Sequence, residues 1–337
     1  RGERLAAAIL ATLLAAAGLV GAGLLSIYSA TLDARMSELF TKQIIAAIIG
    51  SALLVFAAFI PLRTLQLISY PAYFLSLLSL LLVLLLGKQV SGSTSWFVLG
   101  RFSIQPSEFA KVATALALAT YLQRSDVSLQ KVKDVLIAGA IVAAPMALII
   151  RQPDTGTAMI FFGMFVPVLF WGNASAFTLV ALIAPGVVGI SALMGPTPFL
   201  VALIASGIAI FLTRQNWISA AIVFSLFVFL GISVQSIHDT LRPYQQKRIA
   251  TFFDPGADPL GAGYNVLQSK VAIGSGGVLG KGFTKGTQTR LNFIPAHWTD
   301  FIYTVPGEEF GLLGATVVLT LLMIILFRWV MIASAVK

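Results

Sequence analysis

The sequence predicts an all-α polytopic membrane protein of about ten transmembrane helices, with one long extracytoplasmic loop containing re-entrant or short helices. Three observations predict it. Of 337 residues, 58% are hydrophobic and only 10% charged, where soluble domains carry roughly 25% charged residues. Mean hydropathy is +0.93. The apolar residues fall into successive runs near the ~20-residue length of a bilayer span, joined by short polar connections until a long polar stretch at 236–303.

The first run, "LAAAILATLLAAAGLVGAGLLSIY", predicts a span near 6–29. It exceeds the ~7–15-residue core of a signal peptide, so it is expected to stay in the membrane. Further spans are expected near 43–60, 67–87, 107–123, 134–150, 157–171, 175–194, 198–213, 216–235 and 304–330, all within a single integral membrane domain, 1–337. Those at 157–171 and 198–213 are short, and tilting, half-burial or merging with a neighbour is expected of them. Pro71, Pro145, Pro167 and Pro185 fall inside spans, where neighbouring helices re-satisfy freed backbone groups. No internal repeat is visible, which weighs against an inverted-repeat transporter.

Orientation follows the excess of Lys and Arg in short cytoplasmic loops. With the N-terminus inside, the cytoplasmic segments hold nine such residues (Arg1, Arg4, Arg63, Arg124, Lys131, Lys133, Arg214, Arg328, Lys337) and the short outer loops five (Arg35, Lys42, Lys88, Arg101, Arg151). Both ends of the chain are therefore expected on the cytoplasmic side. The long outer loop carries seven basic residues against four aspartates. Long loops cross regardless of charge, so this basic surface calls for an anionic partner at the membrane face. Cysteine is absent, which excludes disulfides, thiolate metal sites and a cysteine nucleophile. Two distant histidines exclude a histidine-rich metal site.

Candidate chemistry sits in four places. "FIPAHWTDFIYTVPGEEFG" places Asp300 between polar loop and membrane, where it is a candidate general base facing basic residues; an N-cap at Thr299 or Asp300, a salt bridge to a loop Lys or Arg, and a chance interfacial acid are the bland readings. Glu308 and Glu309 are expected in the first turns of the last span, pointing into the bundle. In "QPSEFAK", Glu108 and Lys111 lie three apart on one helical face and can pair, or Lys111 can snorkel at the interface; Trp96 upstream reads as an interfacial belt residue. "RQPDTGTA" sets Gln152, Asp154 and Thr157 in a polar break between spans, where Asp154 is expected to pair with Arg151 and the others to line a polar cavity. The glycine-rich "QSKVAIGSGGVLGKGFTKGTQTRL" misses the spacing of a Walker A loop and of G-x-G-x-x-G. Its backbone amides could still cradle a phosphate beside Lys281, Lys285 and Arg290, or form a re-entrant turn with solvated charges.

Together "SWFVLGRFSIQPSEFAKVA", "RQPDTGTA", "KRIATFFDPGADPLGAGYNVLQSKVAIGSGGVLGKG" and "IPAHWTDFIYTVPGEEFG" occur in the order seen in the SEDS family of shape, elongation, division and sporulation proteins. The sequence resembles that family over most of residues 5–330 and is more similar to its RodA-type members than to FtsW. The resemblance implies a peptidoglycan glycosyltransferase of the bacterial cytoplasmic membrane that polymerises lipid II on the outer face during wall elongation, beside a class B penicillin-binding protein. Membrane lipid is the other implied partner, and nucleic acid is not one. It further implies Asp300, in "TDFI", as the catalytic carboxylate, with Glu108, Lys111, Arg248, Lys281, Lys285 and Arg290 able to meet the diphosphate. A divalent cation, magnesium or manganese, is the one cofactor it suggests. The family's P-E-x-H-T-D run departs here: Ala296 and Trp298 stand in the Glu and His places and His297 is shifted by one. The resemblance also implies further spans beyond Lys337. The alternatives are a transporter flipping the same lipid-linked precursor and a non-catalytic scaffold for the crosslinking enzyme. A transporter would not need the Asp300 carboxylate.

Overall fold

The structure, a computed structural model, describes every residue except 1, 33–36, 91–92, 100–101, 215, 242, 262, 292, 296 and 336–337, and gives the backbone alone for 2–6, 37, 88–90, 99, 102, 237–239, 243–245, 247–248 and 335. In chain order the elements are α1 (Gly2–Thr31), α2 (Ser37–Ala58), α3 (Leu62–Leu86), β1 (Lys88–Val90), β2 (Ser93–Leu99), β3 (Phe102–Ile104), α4 (Pro106–Leu122), α5 (Val132–Arg151), α6 (Thr155–Trp171), α7 (Ala176–Met194), α8 (Pro196–Thr213) and α9 (Trp217–Thr240). The long loop then holds α10 (Pro243–Phe253), a 3₁₀ turn (Pro255–Ala257), α11 (Tyr264–Ser275), α12 (Thr287–Arg290) and α13 (Thr304–Glu309), before α14 (Gly311–Ala335).

Each expected span up to 216–235 is a helix of its own, and the last, 304–330, is divided between α13 and α14. Among the described residues, α1, α2, α3, α5, α7, α8, α9 and α14 are long and apolar enough to cross a bilayer, and α6 is a shorter apolar helix. α4, at 17 residues, begins with Pro106 in its first turn, where a missing N–H costs nothing. α6 and α8 are distinct from their neighbours and not merged with them. Ser175 opens α7 by accepting the Thr178 amide at 3.1 Å.

The all-α expectation needs one addition. Between α3 and α4 the chain makes a three-stranded antiparallel sheet in the order β1-β2-β3, pairing Lys88 with Trp96 and Phe97 with Ile104. "STSWFVL" is rich in β-branched and aromatic residues, which suit a half-buried pleated surface. Trp96 is therefore a partly buried strand residue and not a free belt anchor.

The chain divides into two compact units, Phe59–Leu241 and the combination of Arg1–Ala58 with Arg242–Lys337. In Phe59–Leu241, Leu80, Leu118, Ile149, Phe161 and Leu169 are fully buried at the centre of α3–α6. Val188, Ile210 and Phe227 join α7, α8 and α9 in a second cluster. In the other unit α1 runs along α14 and α2, while α11 and α12 pack on α13. Around both cores, leucines, isoleucines and phenylalanines such as Phe56, Leu85 and Leu212 face outward, as lipid contact demands.

Candidate active site

The segment that carries Asp300 is built from turns. Ile294 and His297 are fully buried and anchor its start. Turns then run from 297 to 303 before α13 begins. Pro306 falls in the first turn of α13, where its ring is tolerated. α13 ends at Phe310, and Gly311 takes φ +64 before α14 begins. Glu308 and Glu309 thus belong to a separate six-residue helix, and not to the first turns of the last span as expected. The left-handed glycine breaks the helix that hydropathy alone would run together.

Asp300 is exposed on the turn. Neither it nor Thr299 caps α13, whose N-cap position is Tyr303. Among the described residues its carboxylate makes no ion pair or hydrogen bond, so the salt bridge considered from sequence is absent among them. It is open to a proton donor.

Behind it, Glu308 is completely buried and fully engaged. Its Oε1 accepts from Lys281 Nζ at 2.7 Å, the Gln288 amide at 2.9 Å and Thr287 Oγ1 at 3.2 Å; its Oε2 accepts from the Thr289 amide at 3.1 Å. Burial by itself would raise this carboxyl, but the bonds from Lys281, Gln288 and Thr289 outweigh it and hold the group below the usual glutamate range. Glu309 is its opposite. It is also buried, with Oε1 accepting the Ser29 hydroxyl, while Oε2 has no hydrogen-bond partner among the described residues. Burial pushes it up, helped by the charge of Glu308 and opposed by the Ser29 hydroxyl.

This clasp corrects the reading of the glycine-rich run as a phosphate cradle of exposed amides. The amides of Lys281 and Gly282 donate to the carbonyls of Glu308 and Glu309 at 3.0 and 2.9 Å. Those of Gln288 and Thr289 are spent on the Glu308 carboxylate. The backbone needs glycine at 280, which sits at φ +81 with a hypothetical Cβ only 2.1 Å from the Glu309 carbonyl oxygen. Of the expected phosphate-binding cations, Lys281 is committed to Glu308 and a quarter exposed. Lys285 is exposed. Arg290 is also exposed and reaches the Thr284 carbonyl at 3.3 Å. The Arg248 side chain lies outside the described residues.

The remaining expected residues lie in Phe59–Leu241. Glu108 and Lys111 form the expected ion pair at 2.8 Å, with side-chain exposures of 56% and 23%. Glu108 also lines an apolar groove of about 620 Å³ beside Leu75, Phe97, Phe109, Val112 and Leu116. Asp154 does not pair with Arg151. It caps α6, accepting from the Thr157 amide at 3.1 Å and hydroxyl at 2.9 Å, and takes a third bond from Gln105 Nε2 at 3.1 Å. Gln152 is fully buried and donates to the Leu80 carbonyl at 3.1 Å, leaving its Oε1 unpartnered among the described residues. Sequence reasoning missed Gln105, Ser29, Thr287 and Thr289, and named His297 without a role. A polar residue in an apolar helix, as Ser29 is, was the available signal. Among the described residues no three His, Cys, Asp or Glu side chains gather to hold a metal.

Fold and site together define a polytopic helical membrane protein that presents, on a turn just ahead of α13, a carboxylate unpaired among the described residues. The chain belongs to the FtsW/RodA/SpoVE family of cell cycle proteins, whose model matches residues 4–203 and 194–337. It is 30% identical to the peptidoglycan glycosyltransferase RodA of Treponema pallidum, over 97% of this chain and 82% of that protein. To the peptidoglycan glycosyltransferase MrdB of Escherichia coli K12 it is 35% identical, over 85% of this chain and 65% of that protein. The chain thus spans just under two thirds of the Escherichia coli relative. Among solved structures it resembles one from a study of how a peptidoglycan synthase complex coordinates polymerization and crosslinking, with TM-score 0.64, 26% identity, and coverage of 94% of this chain and 75% of that one.

Proposed function

We propose that this protein is a peptidoglycan glycosyltransferase that polymerises lipid II at the outer face of the bacterial cytoplasmic membrane during wall elongation. The observation that carries the mechanism is the exposed Asp300 carboxylate, unpaired among the described residues and held on the turn that leads into α13. The acceptor sugar's 4-hydroxyl oxygen attacks the anomeric carbon of the lipid-linked donor. Asp300 takes the hydroxyl proton, a new glycosidic C–O bond forms with inversion, and the bond from that carbon to the diphosphate oxygen breaks. The lipid diphosphate leaves with the electron pair, and cations stabilise the developing charge. Lys285 and Arg290 are exposed cations in the same unit for that task; Lys281 is tied to Glu308 and would serve only by leaving it. A lipid-anchored donor explains why the base belongs at the bilayer edge. A divalent ion would arrive with the diphosphate. The name of the solved relative's complex supports a crosslinking partner, a class B penicillin-binding protein.

The test is Asp300→Asn in purified protein supplied with lipid II and magnesium. Glycan strand formation should fall by at least about 10²-fold, the lower end of general-base contributions, with an unchanged melting temperature. Wild-type-length strands from the variant would leave the flippase reading standing instead.

A further inference from the structure

Three successive residues at the C-terminal end of α1 contact, in turn, the glycine-rich run, α13 and the turn that carries Asp300. The Tyr28 ring stacks on Phe283 at 6.2 Å, and Phe283 in turn stacks on Phe310 at 5.9 Å. The Ser29 hydroxyl donates to Glu309 Oε1. The Ala30 carbonyl faces His297 Nε2 at 3.3 Å. Ser29 and Ala30 are buried, and His297 is wholly so. Asp300 lies between His297 and Glu309 in sequence, so its turn is pinned on both sides to two neighbouring residues of one helix.

That helix is a sound reference point. α1 is 30 residues long and packed along α14, whereas 297–303 is turn without a helix or strand ladder of its own. Ala30 is also among the last four residues of α1, whose carbonyls have no donor within the helix. A buried carbonyl of that kind needs a partner, and the His297 ring supplies one. Its other nitrogen, Nδ1, lies 2.9 Å from the Ile294 carbonyl, a contact local to the turn.

We propose that His297 is the positioning residue for Asp300, fixing the carboxylate by docking its turn, through Nε2, onto the buried carbonyl end of α1. This rests on the reading of Asp300 as the base. A neutral imidazole carries one N–H, so of the contacts to the Ala30 and Ile294 carbonyls only one is a hydrogen bond at a time. The role assigned here requires that Nε2 donate to Ala30, which ties the turn to α1, and not that Nδ1 donate to Ile294.

Amide side chains separate the two. Gln places its nitrogen near the position of Nε2; Asn places it near Nδ1. In the full chain with lipid II, His297→Gln should retain kcat within about threefold. His297→Asn should lose about 10²-fold in kcat, the scale of a misplacement near 1 Å, with KM within twofold of wild type and a melting temperature matching that of the Gln variant. Equal kcat for the two variants, or a loss that follows the unfolded fraction, overturns the proposal. Should the Asn variant not fold, Ser29→Ala loosens the neighbouring pin and should lower kcat in the same direction; an unchanged kcat counts against the idea. A readout free of catalysis keeps this apart from the functional reading. A nitroxide on Asp300→Cys, in a chain without other cysteines, should be immobile alone and with His297→Gln, and should gain a mobile spectral component with His297→Asn. No difference between the two rejects the anchoring itself. A clear difference in the label, combined with normal polymerisation by Asp300→Asn, would instead reject Asp300 as the base and leave the anchoring in place.

Discussion

At the residue scale, the adjacent carboxyls of Glu308 and Glu309 are pushed in opposite directions by their surroundings, and stability should show both signs. Glu308 lies below the usual value of 4.5. Its contribution is therefore complete above that value and is lost as pH falls through the depressed one. In Glu308→Gln the new amide N–H₂ would face other donors, Lys281 Nζ and the Gln288 and Thr289 amides. Breaking a buried, hydrogen-bonded pair costs about 3–5 kcal/mol, so the variant should melt well below wild type at neutral pH and the gap should narrow below pH 4.5. Glu309 lies above 4.5. The folded state holds its proton longer than the unfolded chain does, so wild-type stability falls as pH rises from 4.5 through the raised value. Glu309→Gln keeps the shape and has no proton to lose. Its melting temperature relative to wild type should climb steadily with pH in a fluorimetric series, and a flat difference would mean that Glu309 ionises in its pocket without penalty. Spacing could not reveal either partner. The i,i+3 pair Glu108–Lys111 was legible because helical periodicity places it, but Ser29 and Glu309 meet across 280 residues, and no local pattern encodes that.

At the element scale, hydropathy located every helix that the apolar runs predict, because lipid exposure and length leave few other solutions. It failed where backbone conformation, and not polarity, decides. The sheet at 88–104 is too short and polar to stand out from a loop, and the break between α13 and α14 depends on one left-handed glycine. The glycine-rich run reads differently once its neighbour is known. It lets α11 and the following turn lie backbone to backbone against α13, where Gly276 and Gly280 are spacing devices. Two substitutions separate this from a flexible phosphate loop. Gly280→Ala must place a Cβ at φ +81 and 2.1 Å from the Glu309 carbonyl oxygen; it should cost at least about 2 kcal/mol, more than the left-handed penalty alone. Gly274→Ala lies within α11 with nothing within 4 Å, and should be neutral or stabilising by about 0.5–1 kcal/mol. Thermal melts of both proteins in one detergent decide it, and a tolerated Gly280→Ala would mean that the run does not pack on α13.

At the scale of the whole molecule, parity decides which side Asp300 faces. Nine helices precede the loop that carries it, so the N-terminus and that loop face opposite sides only if an odd number of them cross, as when all nine do. The doubtful members are α4 and α6, each 17 residues. At 1.5 Å per residue each is about 25 Å long against a hydrocarbon core near 30 Å. A short helix is accommodated by local thinning of the bilayer, and the positive charges at Arg124, Lys131 and Lys133 beyond α4 favour a cytoplasmic end there. We therefore expect α4 and α6 to cross. Because the chain has no cysteine, single introductions report the side directly. An impermeant maleimide added to intact cells should label Lys285→Cys at once, and should label Lys133→Cys and Asn173→Cys only after the membrane is opened. If α4 merely dips into the bilayer, Lys133→Cys labels from outside and Lys285→Cys does not, since one crossing fewer carries the loop to the other face. The Asp300 carboxylate would then look into the cytosol, away from the compartment where glycan strands are laid down, and the polymerase reading would fall with it.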